Sequence, residues 1–373
     1  MEHIIYKMIE VSKLNSGGDR PKIYSDTKTN ECCFPIFSNG LQDEGLYGYT
    51  NKATMPSDTI TVSARGANIG EVFYRKEDFL PIVRLITIIP DSNYVHSKYL
   101  YYYLKKVKIE GSGSAQPQIT VPFFSRHKIV IPKDVEYQKK VADILSTYDN
   151  LIENNNKRIK LLEKMAENLY KEWFVRFRFP GYENVEFNGT VPSGWQYQSI
   201  LESMIFYDSQ RVPLSSMQRD KMDKIYPYYG AAKLMDYVND YLFDGEYLLL
   251  GEDGTVVTTD GFPVLQLVNG KFWVNNHAHV IRGKGNISTR FLYLTFCRFP
   301  ITGVVTGSAQ PKISKGRLGK LKILVPDAIT MEHFNNLINP IFDEINLLKK
   351  QLIKLIKQRD MLLPRLMSGK LKV

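Results

Sequence analysis

The sequence predicts an α+β protein: two tandem mixed α/β domains separated by two long helices packed as an antiparallel coiled coil, with a pseudo-twofold relation between the halves. Three observations carry this. The run Gly113-Ser114-Ala115-Gln116-Pro117-Gln118-Ile119 returns as Gly307-Ser308-Ala309-Gln310-Pro311-Lys312-Ile313, and the offset stays constant through Lys128/Lys322, Ile129/Ile323 and Pro132/Pro326. Both copies then run into a long stretch with apolar residues at helical spacing. The 373 residues are too many for one ordinary domain and enough for two, each with its own core.

Residues 1–133 are expected to form the first mixed domain. Short β-rich runs such as Thr59-Ile60-Thr61-Val62-Ser63 and Lys128-Ile129-Val130-Ile131 alternate with turn signals such as Ser16-Gly17-Gly18 and Gly66-Ala67-Asn68. A helix is expected from His96 to Val107. Residues 191–326 repeat this layout. Phe34-Pro35 matches Tyr226-Pro227, Gly66 matches Gly254, and Tyr99-Leu100-Tyr101 matches Phe291-Leu292-Tyr293. The loops have diverged and the frame has not, which suggests two different ligand sequences on one scaffold.

Residues 134–190 hold the first long helix and a linker. Val141, Leu145, Tyr148, Ile152, Ile159, Leu162, Ala166, Leu169 and Trp173 step by threes and fours, with Asn155 filling one slot. That is a coiled-coil-like seam. About 40 residues at ~1.5 Å each make a helix of roughly 60 Å, too long to pack within one small domain. Residues 327–373 hold the second helix, with Ile338, Ile341, Ile345, Leu348, Leu352 and Leu355 in its stripe. Pro340 falls inside it. A proline within a helix removes a hydrogen bond and costs about 3 kcal/mol, so a kink or restart is expected there. Each stripe finds its partner in the other, and a twofold relation makes them antiparallel, a ruler between two globular units.

The net charge of +10 and pI of about 9.2 favour a polyanionic partner, nucleic acid first. Adjacent Cys32 and Cys33 with distant Cys297 make neither a disulfide framework nor a zinc spacing. Glu2, His3 and Lys7 interrupt any apolar leader, and no run approaches the ~18 apolar residues of a membrane span. A cytoplasmic protein with no membrane partner is expected.

Beyond the repeated motif, Trp173-Phe174-Val175-Arg176-Phe177 closes the first long helix and Val191-Pro192-Ser193-Gly194-Trp195 opens the second domain. The chain ends on Leu362-Leu363-Pro364-Arg365-Leu366-Met367-Ser368-Gly369-Lys370-Leu371. In this order and duplication the chain resembles the specificity subunits of type I restriction–modification systems (HsdS family) over nearly its whole length. The resemblance implies two target recognition domains, each reading one half of a split double-stranded DNA sequence, with the spacer set by the helices. It implies two modification (methyltransferase) subunits as partners, methylating an adenine in each half with S-adenosylmethionine. It also implies restriction subunits that bring ATP-driven translocation and cleavage. S-adenosylmethionine, ATP and Mg are thus expected on the partners, and no cofactor in this chain. One departure is the abrupt start at Met1-Glu2-His3, without the Pro-x-Gly-Trp entry of the second domain, so a shorter first strand is expected.

The absences fit a non-catalytic reader. There is no phosphate-binding Gly-x4-Gly-Lys-Ser/Thr loop and no Asn/Asp-Pro-Pro-aromatic stretch; modification would need base flipping into another protein's pocket. Two stretches suggest a metal instead. Glu252-Asp253 could hold Mg²⁺ in a nuclease, which leaves a rival reading, the recognition part of a metal-dependent DNA endonuclease. Against it, Asp253-Gly254 is a turn signal and the first domain has Arg65-Gly66 there. His277 and His279 fall on one face of a strand as ligands would, but no third ligand is evident nearby. No metal site is therefore expected, and a packed strand with satisfied polar groups is preferred.

The repeated motif (Gly113, Ser114, Gln116 and Pro117; Gly307, Ser308, Gln310 and Pro311) reads as scaffold, with a phosphate contact as the second reading. Base readout belongs where the domains differ. In the first the candidates are Lys28, Asn30, Asn39, Gln42 and Arg65. In the second they are Gln210, Arg211, Arg219, Lys233, Asp253, Asn275 and Asn276. Arginine suits guanine, and an acid can accept from cytosine N4. The last 25 residues carry eight Lys/Arg against Asp360 alone, which suits DNA backbone, a solvated helix face or a docking surface.

Overall fold

In the first half of the chain, short apolar runs between turns form β1 (His3–Lys7), β2 (Ser12–Ser16), β3 (Phe34–Phe37), β4 (Leu46–Thr50), β5 (Ile60–Val62), β6 (Val72–Tyr74), β7 (Leu80–Pro81), β8 (Ile86–Pro90) and β9 (Lys128–Pro132). The helices there are α1 (Met8–Val11), α2 (Ser97–Lys106), α3 (Val121–Ser125) and α4 (Val135–Tyr170). The structure is a computed structural model and describes residues 2–107, 109, 111, 117–307, 310–371 and 373. It divides into two units: Met1–Asn154 with Leu352–Val373, and Asn155–Gln351. Each unit contains one mixed domain, or head, and parts of both long helices.

In the first unit the strands make a sheet in the order β2-β8-β5-β6, a second in the order β4-β3-β7, and the pair β1-β9. Ile60, Val62, Ile86 and Ile88 on one sheet face bury against Tyr99, Leu100 and Leu104 of α2. Val141, Ala142 and Leu145 of α4 and Leu366 and Met367 near the C-terminus complete that core. The expectation of a shortened first strand is corrected. β1 has five residues and pairs with β9 along its whole length, because alternate residues Ile4 and Tyr6 face inward without any help from a Pro-x-Gly-Trp entry.

The second unit continues α4 through a π-helical turn, Lys171–Val175. It then has the hairpin β10 (Phe187–Asn188) and β11 (Val191–Pro192), followed by β12 (Gln196–Ser199), β13 (Met204–Phe206), α5 (Ser216–Arg219), β14 (Tyr226–Tyr229), β15 (Leu234–Val238), β16 (Phe243–Gly251), β17 (Leu265–Val274) and β18 (Ala278–Gly283). The elements α6 (Thr289–Phe296), α7 (Lys315–Leu318), β19 (Lys322–Val325) and α8 (Ala328–Met367) complete it. Its main sheet runs β13-β18-β16-β17-β14-β15, and β12 pairs with β19.

The two heads share one topology. β2, β8, β5 and β6 take the places of β13, β18, β16 and β17, and the hairpin β3–β4 takes that of β14–β15. The difference lies in β17, whose ten residues pair antiparallel with β16 and parallel with β14. In the first head β6 and β7 divide that work, so one sheet becomes two.

Within each unit the long helices pack antiparallel. In the first, Tyr137 donates to the Leu366 carbonyl at 3.1 Å and Arg359 meets Asp149 at 2.8 Å. In the second, Asn155 donates to Gln351 at 3.2 Å, Arg158 pairs with Glu344 at 2.5 Å, and Trp173 and Phe174 pack on Phe334 at 5.6 and 4.7 Å. The restart expected as one outcome at Pro340 is corrected: α8 runs through the proline as one helix. Ile338, Ile341 and Phe342 are buried around the proline, and Arg290 clamps the Asn339 carbonyl at 2.7 Å and Asp343 at 2.6 Å. Tertiary packing of this kind carries most helix stability in proteins and holds the turn that proline weakens.

Candidate nucleic-acid interface

Four loops leave the same end of the sheet in each head. In the first, β2 ends at Ser16 opposite Ile86, where β8 begins, and Val62, where β5 ends, also faces Ile86. The loops after β2, β3, β5 and β7 therefore converge. Gly17 makes the approach possible: a Cβ there would stand 2.9 Å from the Ile82 backbone. Val83 and Arg84 both take positive φ in the tight turn before β8. Asn39 stitches three of the loops. Its Nδ2 donates to the Val83 carbonyl at 2.6 Å, its Oδ1 accepts from the Ala64 N–H at 2.7 Å, and its carbonyl accepts from Asn68 at 3.4 Å.

Arg211 is the stitch in the second head. Its guanidinium donates to Glu252 at 2.7 Å, to the Ala278 carbonyl at 2.7 Å, to the Asn276 carbonyl at 3.4 Å and to the Asp208 carbonyl at 2.9 Å. The neighbouring His279 is buried. Its Nδ1 lies 2.7 Å from the Asp208 carboxylate and its Nε2 lies 2.9 Å from the Ile313 carbonyl. Burial pushes the Asp208 carboxyl up. Hydrogen bonds from His279 and the Val280 N–H, with the Arg211 charge, outweigh that and hold it below the usual carboxylate range.

Asp208, Glu252 and His279 offer ligand atoms within 4.8 Å of one another, a trio that takes in His279 but not His277. The arrangement suits an internal ion cluster better than a metal centre. Arg211 already bridges both carboxylates, at 2.7 Å from Glu252 and 3.8 Å from Asp208, and both His279 nitrogens face protein acceptors. A further cation would have to displace that guanidinium. Asp208 lies 71 residues from His279, so no local spacing announces the cluster.

The candidate readers divide by environment. Asn30, Gln42, Arg65, Gln210, Lys233 and Asn276 are exposed. Lys28 is exposed beside Glu77 at 3.7 Å. Asp253 faces His277 at 3.6 Å. Asn39 and Arg211 hold loops together as described. Asn275 is buried, with its Oδ1 accepting the His277 N–H at 2.9 Å. Arg219 bonds Asp236 at 3.1 Å and the Leu214 carbonyl at 2.5 Å, with its guanidinium 4.8 Å from the Tyr228 ring centre; it fastens α5 to β15. The sequence reading missed Arg84, exposed in the β7–β8 turn. It also missed Arg20, which donates to the Tyr47 hydroxyl at 3.2 Å and lies 4.5 Å over Tyr24. The interleaved Arg20 and Tyr24 were the available signal.

Gly113, Ser114, Gln116 and Ser308 of the repeated motif lie outside the described residues. The described part packs the same way in both heads. The Ile119 N–H donates to the Ala64 carbonyl and the Ile313 N–H to the Glu252 carbonyl, each at 2.9 Å. Pro117 and Gln310 are exposed and Pro311 half-buried. Gly307 takes a φ of 86° in a turn closed by the reciprocal Thr306–Lys312 bonds. Each copy thus props the loop after the sheet's central strand, the loop that carries Arg65 or Asp253.

Comparison with known proteins agrees with this duplication. The family model for the type I restriction modification DNA specificity domain matches residues 5–164 and again 192–358. The MjaIX specificity subunit of a type I restriction enzyme from Methanocaldococcus jannaschii is 29% identical over 344 residues, covering 85% of this chain and 78% of that protein. A putative type I specificity subunit of Mycoplasma pneumoniae is 34% identical over 188 residues, covering 49% of this chain and 54% of its own length. The crystal structure of the S subunit of a type I restriction–modification system from M. genitalium superposes with a TM-score of 0.71 at 17% identity, covering 98% of this chain and 96% of that one. These findings lend no support to the endonuclease reading.

Proposed function

Because the chain belongs to the type I restriction–modification DNA specificity family, we propose that it grips double-stranded DNA with two loop surfaces, each reading one half of a bipartite target with a fixed spacer. One observation carries the reading: two heads of one topology present four convergent loops each, with different side chains on the loops. A shared scaffold with divergent loops is what two different half-sites require. The base-reading set is Asn30, Gln42, Arg65 and Arg84 in the first head and Gln210, Lys233, Asp253 and Asn276 in the second, with Lys28 beside the first set. Asn39, Arg211, Arg219 and Asn275 hold those loops in place.

The chain is a reader and not an enzyme. Two modification subunits carry S-adenosylmethionine and methylate one adenine in each half-site, and restriction subunits bring ATP and Mg. Among the described residues no helix is long and apolar enough to cross a membrane, and the complex works in the cytoplasm, where its DNA is. Sequencing of methylated bases in the host genome, with and without this gene, tests the assignment. One split motif should lose its methylation when the gene is deleted; an unchanged set of methylated motifs contradicts it.

A further inference from the structure

The features that repeat between the heads point to something both heads touch. Arg126 and Lys128 in the first unit stand at the same motif offset as Lys320 and Lys322 in the second. All four are exposed, and among the described residues none of the four side chains has an ion-pair partner. The local frame is the same in both places. Thr120 caps α3 by accepting from the Phe123 N–H, and Ser314 caps α7 by accepting from the Arg317 N–H. Each short helix then leads into a strand whose first residue is the second cation, Lys128 or Lys322.

Two details say what the cations are for. In the first unit Lys128 sits directly opposite Lys7 in the β1–β9 pair. Like charges in that position disfavour the folded strand pair, so this surface carries positive charge that the fold itself does not need. The cations border an open cavity of about 600 Å³ lined by Pro122, Phe123, Arg126, His127 and Lys128. In the second unit residues 315–322 hold Lys315, Arg317, Lys320 and Lys322 and no acid. There Lys315 lies 4.6 Å over Phe206, the last residue before the loop that bears Asp208 and Arg211. The start of this basic stretch therefore lies beside that loop, and Lys322 follows opposite Ser199 of β12.

We propose that Arg126/Lys128 and Lys320/Lys322 form a duplicated DNA-backbone contact, one per head, that binds phosphates without regard to sequence. The sugar–phosphate backbone is the same in both half-sites, its phosphates carry the negative charge, and a basic contact kept in both copies while the loops diverge matches that. This rests on the DNA-reading assignment above.

The test is a salt titration of duplex binding by the full-length chain and by R126Q/K128Q/K320Q/K322Q, on a target duplex and a scrambled one. Each phosphate contact removed lowers the slope of log affinity against log salt by about 0.9. The slope should therefore fall by about 3.6 in the quadruple variant and by about half that in R126Q/K128Q or K320Q/K322Q. Affinity for the two duplexes should fall by the same factor, on the order of 100-fold at moderate salt, with the melting temperature not lowered, since K128Q relieves the repulsion between Lys128 and Lys7. An unchanged slope overturns the proposal. So does a loss confined to the target duplex, which makes these cations base readers, or lost co-purification of modification subunits at unchanged slope, which makes the patch a protein contact. If the unsubstituted chain shows no preference for the target, the function proposed above fails, and the slope still decides the patch.

Discussion

In the first head Thr61 of β5 pairs with Thr87 of β8 and with Phe73 of β6, and Arg75 follows two residues on. In the second head Leu249 stands in the same register, paired with Val280 and Gln266, and Val268 takes the place of Arg75. The second head fills that face with a hydrocarbon core around Leu249, Val268, Phe272 and Val280. The first buries a guanidinium there, 2% exposed. Its Nε donates to Thr61 at 2.9 Å, its Nη2 to the Glu44 carbonyl at 3.0 Å, and its Cζ lies 3.7 Å from the Phe37 ring centre. Burial lowers its pKa to about 10 even with Glu44 nearby.

The other end of the comparison is reversed. His279 of the second head stands where the first has Ile86, and Glu252 where the first has Ala64. Each head thus buries charge beside its loops at a different place on a common sheet. Buried ion clusters contribute little net stability. Their positions match loop support instead. Arg75 holds the loop in which Asp43, Glu44 and Gly45 all take positive φ, and Arg211 holds the loops at 208, 252 and 276. The topology tolerates either interior, and the charge sits where that head's loops need support.

Reciprocal substitutions break the comparison most severely. Val268→Arg places an unpaired cation in a hydrocarbon core and should cost about 3–5 kcal/mol, read as a melting-temperature drop on the order of 10 °C. Arg75→Met leaves Thr61 and the Glu44 carbonyl without their charged partner and should cost about 2 kcal/mol. It should also relax the first half of the methylated motif while the second half stays intact as an internal control. Equal relaxation of both halves contradicts the role assigned to Arg75.

Acidification gives the smallest effect. Asp208 is held below the usual carboxylate range, so its contribution is fully present above its unfolded value near pH 4 and is lost as pH falls through its folded value. Below about pH 4 the melting temperature should fall more steeply for the unsubstituted chain than for Asp208→Asn. Parallel curves would remove Asp208 from the account.

Much of this architecture was legible. A seven-residue echo fixed the duplication because both copies do the same job, propping the loop after the central strand. The helical stripes were legible because Val141, Leu145, Ile338 and Ile345 bury at the spacing that the sequence shows. The long-range contacts were not. The clusters around Arg75 and Arg211 join residues from separate strands, and a one-dimensional pattern does not distinguish an arginine that reads a base from one that braces a loop. Pro340 misled for a related reason: local propensity favours a break, and the Arg290 clamp that holds α8 together comes from α6.

The central claim is that the two heads read independently. Residues 195–305 exchanged for those of a relative with a different target, followed by sequencing of methylated bases, tests it most directly. One half of the motif should change and the other should not; a motif altered in both halves, or in neither, would contradict it.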